Sequence, residues 1–467
     1  MSSNRNHVPP GPKGLPVVGV AFEIRGDPLG AMRRYAREYG DIVRFPVMMQ
    51  ERILLNHPDF IEQVLVVQQS KFHKSELTRR ITGRMLGQGL LISEGNFWRR
   101  QRRLAQPAFH RARVNEYAAT MAEIAQSHIA QWRDGEARNV SQDMMGLTLD
   151  IAVRTLFGTT LPGEADQVGR AMTFLMRYSL RRQRMPVRIP ETWPTPNNRR
   201  ANQELAFMDS LVYRIISERQ AGNGNAAPHN DLLALLMDAM DEDGSHMTSQ
   251  QLRDETMTLF IAGHETTSQM LSWTWYALSR NPAVEARLHE ELHGVLAGRA
   301  PEVGDLQRLP YLQAVMNESL RLYPPAYILA RTAIEPCQIG GYDMPVGATI
   351  LISQWVTHRD PRFYDDPDTY RPERWLDGLM QRLPAGAYFP FGDGPRRCIG
   401  QGFALMEAAI VIAMMAQKFR LRLVPGHEVV PEPLVTLRPR QGIRMTLHAR
   451  EASRATTDRG AATSAVN

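Results

Sequence analysis

The chain has 467 residues, of which 43% are apolar and 22% charged, an ordinary globular usage. Fifty-five basic against 49 acidic residues leave a net charge of +6, too mild for a nucleic-acid binder but suited to docking an acidic protein partner. Two cysteines, Cys337 and Cys398, make no disulfide framework and fit a reducing cytoplasm, and no run reaches the ~18–20 apolar residues of a membrane span.

The N-terminus is polar, lacks a signal-peptide core, and leads into a proline-rich stretch at residues 9–16. Asp27-Pro28 caps a helix that Gly40 stops, with Leu29, Met32, Tyr35 and Ala36 on one face. Residues 42–45 and 53–55 read as a hairpin around 48–51, and His57-Pro-Asp59 opens a short helix. Residues 73–95, with Gly83, Gly87, Gly89 and Gly95, read as a long loop. Trp98 and Arg102 then share one helix face at i,i+4 spacing.

Helical patterns follow over 114–132, 144–157 and 166–178. Between 177 and 200, Arg177, Arg181, Arg182, Arg184 and Arg188 interleave with Met185-Pro, Ile189-Pro and Trp193-Pro-Thr-Pro. That segment is either a solvated basic loop or an anchor for an acidic substrate or an anionic membrane surface. Thr248-Ser-Gln-Gln251 is a capping box opening a long helix to about Ser279. The helix carries Ala262-Gly-His-Glu-Thr-Thr267, where Thr266 can bond back to the Ala262 carbonyl and loosen the helix. Pro310 starts a helix holding Glu318 and Arg321 at i,i+3; residues 348–353 are the clearest strand. Residues 425–447 read as closing β-segments, and the tail from His448 as disordered.

The stretch Phe391-Gly-Asp-Gly-Pro-Arg-Arg-Cys-Ile-Gly400 fits neither helix nor strand, because Gly392, Gly394 and Pro395 interrupt both. From Gly402 an apolar run reads as a buried helix. Cys398 therefore precedes a helix N-terminus, where amide N–H groups, the dipole and Arg396 favour a thiolate. Such a cysteine is a nucleophile, a metal ligand or a small buried hydrophobe.

The pattern Phe-Gly-x-Gly-x-Arg-x-Cys-x-Gly, with all six fixed positions present, resembles the haem-binding loop of the cytochrome P-450 superfamily. Trp98-x-x-x-Arg102, Ala262–Thr267 and Glu318-x-x-Arg321 match three further signatures in the expected order, so the resemblance covers nearly the whole chain. It implies a mainly α fold with small β-sheets, one haem-thiolate domain over 1–447 and a tail over 448–467. Haem b would lie between the long helix and the helix after the cysteine loop, with Cys398 ligating iron. If so, Cys337 is a structural thiol near a turn. The resemblance implies propionate contacts from Trp98, Arg102, Arg331 and Arg396, and cofactor contacts from Phe391, Gly400 and Ala262. Gly263 would let the long helix pass close to bound oxygen. Glu318, Arg321 and Arg374 would form a buried network under the haem loop. Phe260, Ala326, Tyr327, Ile328 and Leu329 would line the substrate pocket.

The implied reaction is monooxygenation: dioxygen and two singly delivered electrons insert one oxygen atom into an apolar substrate, a fatty acid, terpenoid or carotenoid-like molecule. Cys398 would favour O–O cleavage, and Glu265 with Thr266 would relay protons. Electrons from NAD(P)H would arrive through a ferredoxin- or flavodoxin-type donor and its reductase, because no reductase follows the haem loop. Arg397, Lys418, Arg420 and Arg422 are candidates for a docking face near the thiolate. Arg181, Arg182 or Arg184 could hold a substrate carboxylate at the pocket mouth. A cytoplasmic protein without a membrane span is expected. Two rival readings are a peroxide-driven or non-oxidative haem-thiolate enzyme, against which the Glu265–Thr266 pair argues, and a haem sensor, against which the lack of a regulatory domain argues.

Overall fold

Local signals set several helix ends. In the computed structural model, which describes residues 8–161, 163–183, 189–221, 231–240, 244 and 246–450, helix α1 (Pro28–Tyr39) starts where Asp27 accepts the Gly30 N–H at 2.9 Å. Gly40 ends it at φ 93°. The stretch 73–95 is not the long loop its glycines suggest. Ser75 caps helix α2 (Glu76–Leu86) by accepting the Thr78 N–H at 3.1 Å, and Gly87 stops it at φ 57°. Gly83 survives inside it because the position is loosely packed: a Cβ there would meet only Ile92 Cδ1, at 3.6 Å.

Helix α3 (Gly95–Ala105) follows, then α4 (Arg111–Ile129), α5 (Val140–Phe157), α6 (Ala165–Gln183) and α7 (Pro196–Gln220). Arg177, Arg181 and Arg182 thus belong to a helix rather than to a loop, while Arg184 and Arg188 lie outside the described residues. The capping box at Thr248 and Gln251 opens α8 (Ser249–Arg280), followed by α9 (Pro282–Leu296), α10 (Pro310–Leu322) and α11 (Gln401–Lys418). Helix α8 is buried on most of its circumference from Leu252 to Leu278, the mark of a central helix. It packs against α5, α7, α10 and α11, and α11 packs in turn on α4.

Strands β1 (Ile42–Val47) and β2 (Gln50–Leu55) form the expected hairpin, with Met48 and Met49 at φ 50° and 60° in its turn. With β3 (Phe72–Lys74), β5 (Leu329–Ala333) and β8 (Thr349–Ile352) they make a five-stranded sheet in the order β1-β2-β8-β5-β3. Strand β4 (Ala137–Asn139) joins β12 (Arg444–Ala449) and β9 (Phe419–Leu423), while β6 (Cys337–Ile339) with β7 (Tyr342–Met344) and β10 (Pro431–Pro433) with β11 (Leu437–Pro439) are hairpins. Strand β12 continues through Ala449, past the start of the tail read from sequence; residues 451–467 lie outside the described residues. Trp273 of α8 stacks on Tyr323 at 4.6 Å and donates its indole N–H to the Leu437 carbonyl at 2.9 Å, fastening α8 to the β10–β11 hairpin.

Helix α11 has 18 residues and is therefore about 27 Å long. Lys418, Arg420 and Arg422 stand at its far end from Cys398, so the four basic residues do not form one face by the thiolate. Arg422 is paired with Glu285 at 2.6 Å. Among the described residues no helix is long and apolar enough to cross a membrane.

Candidate active site

The loop before α11 is shaped by two left-handed glycines, Gly392 at φ 71° and Gly394 at φ 64°. At Gly394 space matters as well, because a Cβ would come within 2.0 Å of the Leu65 carbonyl oxygen. Asp393 accepts the Gly394 N–H at 2.8 Å, and the Cys398 N–H donates to the Phe391 carbonyl at 2.9 Å, closing the loop. The Cys398 side chain is open on one face and surrounded by protein on the others. Burial raises its thiol above the ordinary range, against the pull of the Gly400 N–H, Arg102, Arg397 and Lys74. The thiolate expected from the helix dipole is thus outweighed by desolvation in the chain alone; a bound metal cation reverses that balance.

Cations gather beside this cysteine. The Arg396 guanidinium lies 3.9 Å from the Trp98 ring centroid, and Arg102 lies 5.9 Å from it, so the i,i+4 face of α3 is formed as expected. Arg396 also donates to the Ser93 carbonyl at 2.8 Å and pairs with Glu94. The sheet register sets Lys74 of β3 directly opposite Arg331 of β5. Like charges facing across a ladder are unfavourable. Burial, with Arg396 nearby, pushes Arg331 down to about 10, and burial likewise pushes Arg396 to about 10. Burial, Arg331 and Arg396 together hold Lys74 well below its usual range. Among the described residues a single carboxylate, Glu94, interacts with Lys74, Arg331 and Arg396. Such a nest calls for further anionic charge, and the two propionates of a haem over Cys398 would supply it. Lys74 and Glu94 carry no local signal in the sequence; the β3–β5 register reveals the first, and the ion pair with Arg396 the second.

Above the loop, α8 turns Ala262 outward, and Thr266 donates its hydroxyl to the Ala262 carbonyl at 2.8 Å, as expected. Gly263 does not face this opening. A Cβ there would meet Leu156 Cδ1 at 3.5 Å and Ala152 at 3.8 Å, so the glycine allows α8 to seat on α5. Glu265 is not an open partner of Thr266 either. It is buried and gripped by the Arg438 guanidinium, whose Nε lies 2.7 Å from Oε1, and by the Thr436 hydroxyl at 2.6 Å. Burial alone would raise its carboxyl, but Arg438 and Thr436 hold it below the usual value. Arg438 also donates to Thr173 of α6 at 2.7 Å.

Phe260 is core rather than pocket wall, with its ring 6.2 Å from Phe157 and 5.4 Å from His264. It lies on the side of α8 that faces α5. Ala326, Tyr327, Ile328 and Leu329 are half-buried on the approach to β5; Leu329 Cδ1 is 3.8 Å from where a Gly392 Cβ would be. The Tyr327 hydroxyl is used on the Leu434 carbonyl at 2.9 Å. Between α2 and α3 the chain is latched onto α8. The Gln88 N–H donates to Asp254 at 2.7 Å and the Leu90 N–H to Glu255 at 3.0 Å. Gly87 and Gly89 permit the approach, since a Cβ would come within 2.1 Å of Asp254 and 2.0 Å of Thr258. Burial raises Glu255 to about 8, with the Leu90 N–H opposing and Asp254 adding to the rise.

Glu318 and Arg321 are fully buried, and their carboxylate and guanidinium meet side by side at 2.8 and 2.9 Å. Arg374 joins at 3.1 Å, as expected from sequence; the Trp375 indole N–H at 2.9 Å and the Arg371 N–H at 2.9 Å complete the shell. Arg321 spends its remaining donors on the His358, Pro367 and Thr369 carbonyls, so no charge is stranded.

A mainly helical frame, a glycine-shaped cysteine loop and a cluster of cations beside the cysteine fit the haem-thiolate class of protein. The profile of the cytochrome P450 family matches residues 9–446. Similar proteins include "Cyclooctatin synthase" of Streptomyces melanosporofaciens, 36% identical over 93% of this chain and 94% of its own length. "Cyclooctat-9-en-7-ol 5-monooxygenase" of the same species is 34% identical over 89% and 90%, and "Pentalenene oxygenase" of Streptomyces avermitilis is 32% identical over 94% and 97%. The chain belongs to the cytochrome P450 family and is a monooxygenase that uses haem and dioxygen.

Proposed function

We propose that this P450 oxygenates an apolar substrate of the terpenoid class, with electrons passing from NAD(P)H through a separate ferredoxin- or flavodoxin-type donor. The activities named for the three relatives support the substrate class. So does the apolar approach at Ala326, Ile328 and Leu329. In this reading one domain extends through β12 and Cys398 holds the iron. Arg102, Arg331, Arg396 and Lys74 would hold the propionates beside Trp98, and Phe391, Gly400 and Ala262 would bound the cofactor. The excess of cations beside Cys398, with Arg331 buried and Lys74 and Arg396 half-buried, is the observation that carries the placement of the haem.

When bound, haem supplies oxygen activation and insertion. The chain supplies the rest. Thr266 has one donor, given to the Ala262 carbonyl, and its oxygen remains free to accept from water; rotation about χ1 turns the same hydroxyl into a proton donor toward the cofactor face. Glu265, locked to Arg438 and Thr436, fastens the β10–β11 hairpin to α8 rather than exchanging protons with that hydroxyl. The half-buried Leu329 side chain and the latched 87–90 segment orient an apolar guest and exclude water.

Titrating the haem-loaded protein with neutral terpenes, terpene alcohols and fatty acids, while following the spin-state change, tests the substrate class. Saturable shifts with terpenoids, and turnover with dioxygen and a ferredoxin couple, are expected. Shifts with fatty acids only would overturn the substrate class, and turnover with peroxide but not with the couple would favour the peroxide-driven reading. Cys398→Ser should remove the thiolate signature of the reduced carbon-monoxide complex; its retention would move the ligand to Cys337.

A further inference from the structure

The arginines of α6 share no cavity wall with Trp98, Arg102, Arg331 or Arg396. They wall a separate cleft of about 840 Å³ between α6, the first turn of α7, the start of α5 and the β10–β11 hairpin. Helix α6 presents Arg170, Arg177 and Arg181 there, and Arg438 and Arg440 face them from the hairpin side. Like charges at i,i+4, such as Arg177 and Arg181, oppose helix formation, so the stripe is not explained by stability.

Most of the cleft's cations are matched. Arg177 pairs with Glu432 at 2.8 Å, Arg182 with Glu191 at 3.3 Å, Arg200 with Glu204 at 3.4 Å, and Arg438 with Glu265. Asp166 is engaged by the Gln142 amide at 3.1 Å. Among the described residues Arg170, Arg181 and Arg440 have no carboxylate within ion-pair reach, although all three open onto this cleft. These three exposed guanidinium forks converge from two walls, with Asp166 the one carboxylate of the lining outside an ion pair, and together they can meet more than one negative charge and oxygens pointing several ways. A single carboxylate offers neither; a phosphate or diphosphate offers both. Phe174, capped by Arg200 at 4.2 Å, and Met145 give the cleft an apolar flank for an organic portion.

We propose that this cleft binds a phosphate-class oxyanion, free or as an ester, at a site distinct from the Cys398 centre. Isothermal titration of the haem-loaded full chain with inorganic pyrophosphate, at ionic strength held constant with chloride, tests it. A parallel titration with phenyl phosphate separates a free anion from an ester. Saturable one-to-one binding is expected, weakened at least tenfold in Arg170→Ala/Arg181→Ala and in Arg440→Ala, and unchanged in Arg37→Ala, an exposed arginine of α1. Binding that is absent, or weakened equally by Arg37→Ala, would overturn the proposal as charge screening only. Should the alanine variants fold poorly, Arg181→Lys and Arg440→Lys keep the charge and lose the fork. Partial weakening then supports the site and parent-level affinity refutes it. The readout needs neither substrate nor turnover, so its outcome is independent of the terpenoid reading.

Discussion

At the scale of single residues, Thr266 and Glu265 are sequence neighbours with different tasks. The threonine's bond to Ala262 was legible because it spans four residues of one helix. The glutamate's partner was not, because Arg438 is 173 positions away and arrives on a hairpin. Periodicity carries no record of such a meeting. Thr266→Ala removes a hydroxyl and leaves the Ala262 carbonyl accepting its helix bond, so fold, haem spectrum and substrate affinity should persist. Product formed per electron should fall several-fold, with peroxide taking the difference. Measuring peroxide and product against reductant consumed checks this, and an unchanged ratio would assign the proton to Thr267 or to water alone.

At the scale of elements, glycine is informative where it forces the backbone and misleading where it is merely tolerated. Gly392 and Gly394 shape the cysteine loop as expected, yet Gly83 sits inside a helix, because Ser75 as a cap outweighs it. The two loop glycines also differ from each other. Both have positive φ, but only Gly394 has a carbonyl oxygen, that of Leu65, within 2.0 Å of a would-be Cβ. Gly392→Ala should therefore cost about 1 kcal/mol, the left-handed strain alone. Gly394→Ala should cost more, on the order of 3 kcal/mol, since backbone must move. Denaturant melts of the haem-loaded variants decide it; equal losses would mean the loop relaxes away from Leu65.

At the scale of the whole molecule, the central helix was legible from its capping box and its apolar circumference, and the latch on its first half was not. Glu255 makes that latch sensitive to pH. Its folded pKa of about 8 lies above the ordinary carboxyl value, so the folded state holds a proton that the unfolded chain has released. The associated stability is fully present at acidic pH below the unfolded value and drains away as pH rises toward 8, by up to about 1.4 kcal/mol per pH unit. Glu255→Gln keeps an acceptor for the Leu90 N–H and cannot ionise. Melting temperatures from pH 5 to 8.5 should fall more steeply in the parent than in the variant. Parallel curves would show that Glu255 stays ionised throughout.

Lys74 and Arg331 face each other directly across neighbouring strands, with Arg396 close by and one carboxylate, Glu94, shared among the three. A newly made chain meets that repulsion before it meets its cofactor. Haem capture therefore belongs to folding itself: the ligand binds the native arrangement and drags the equilibrium toward it. In a cell short of haem, chains of this protein would linger in opened forms within reach of proteases, and their steady-state abundance would follow the haem supply rather than the rate of synthesis.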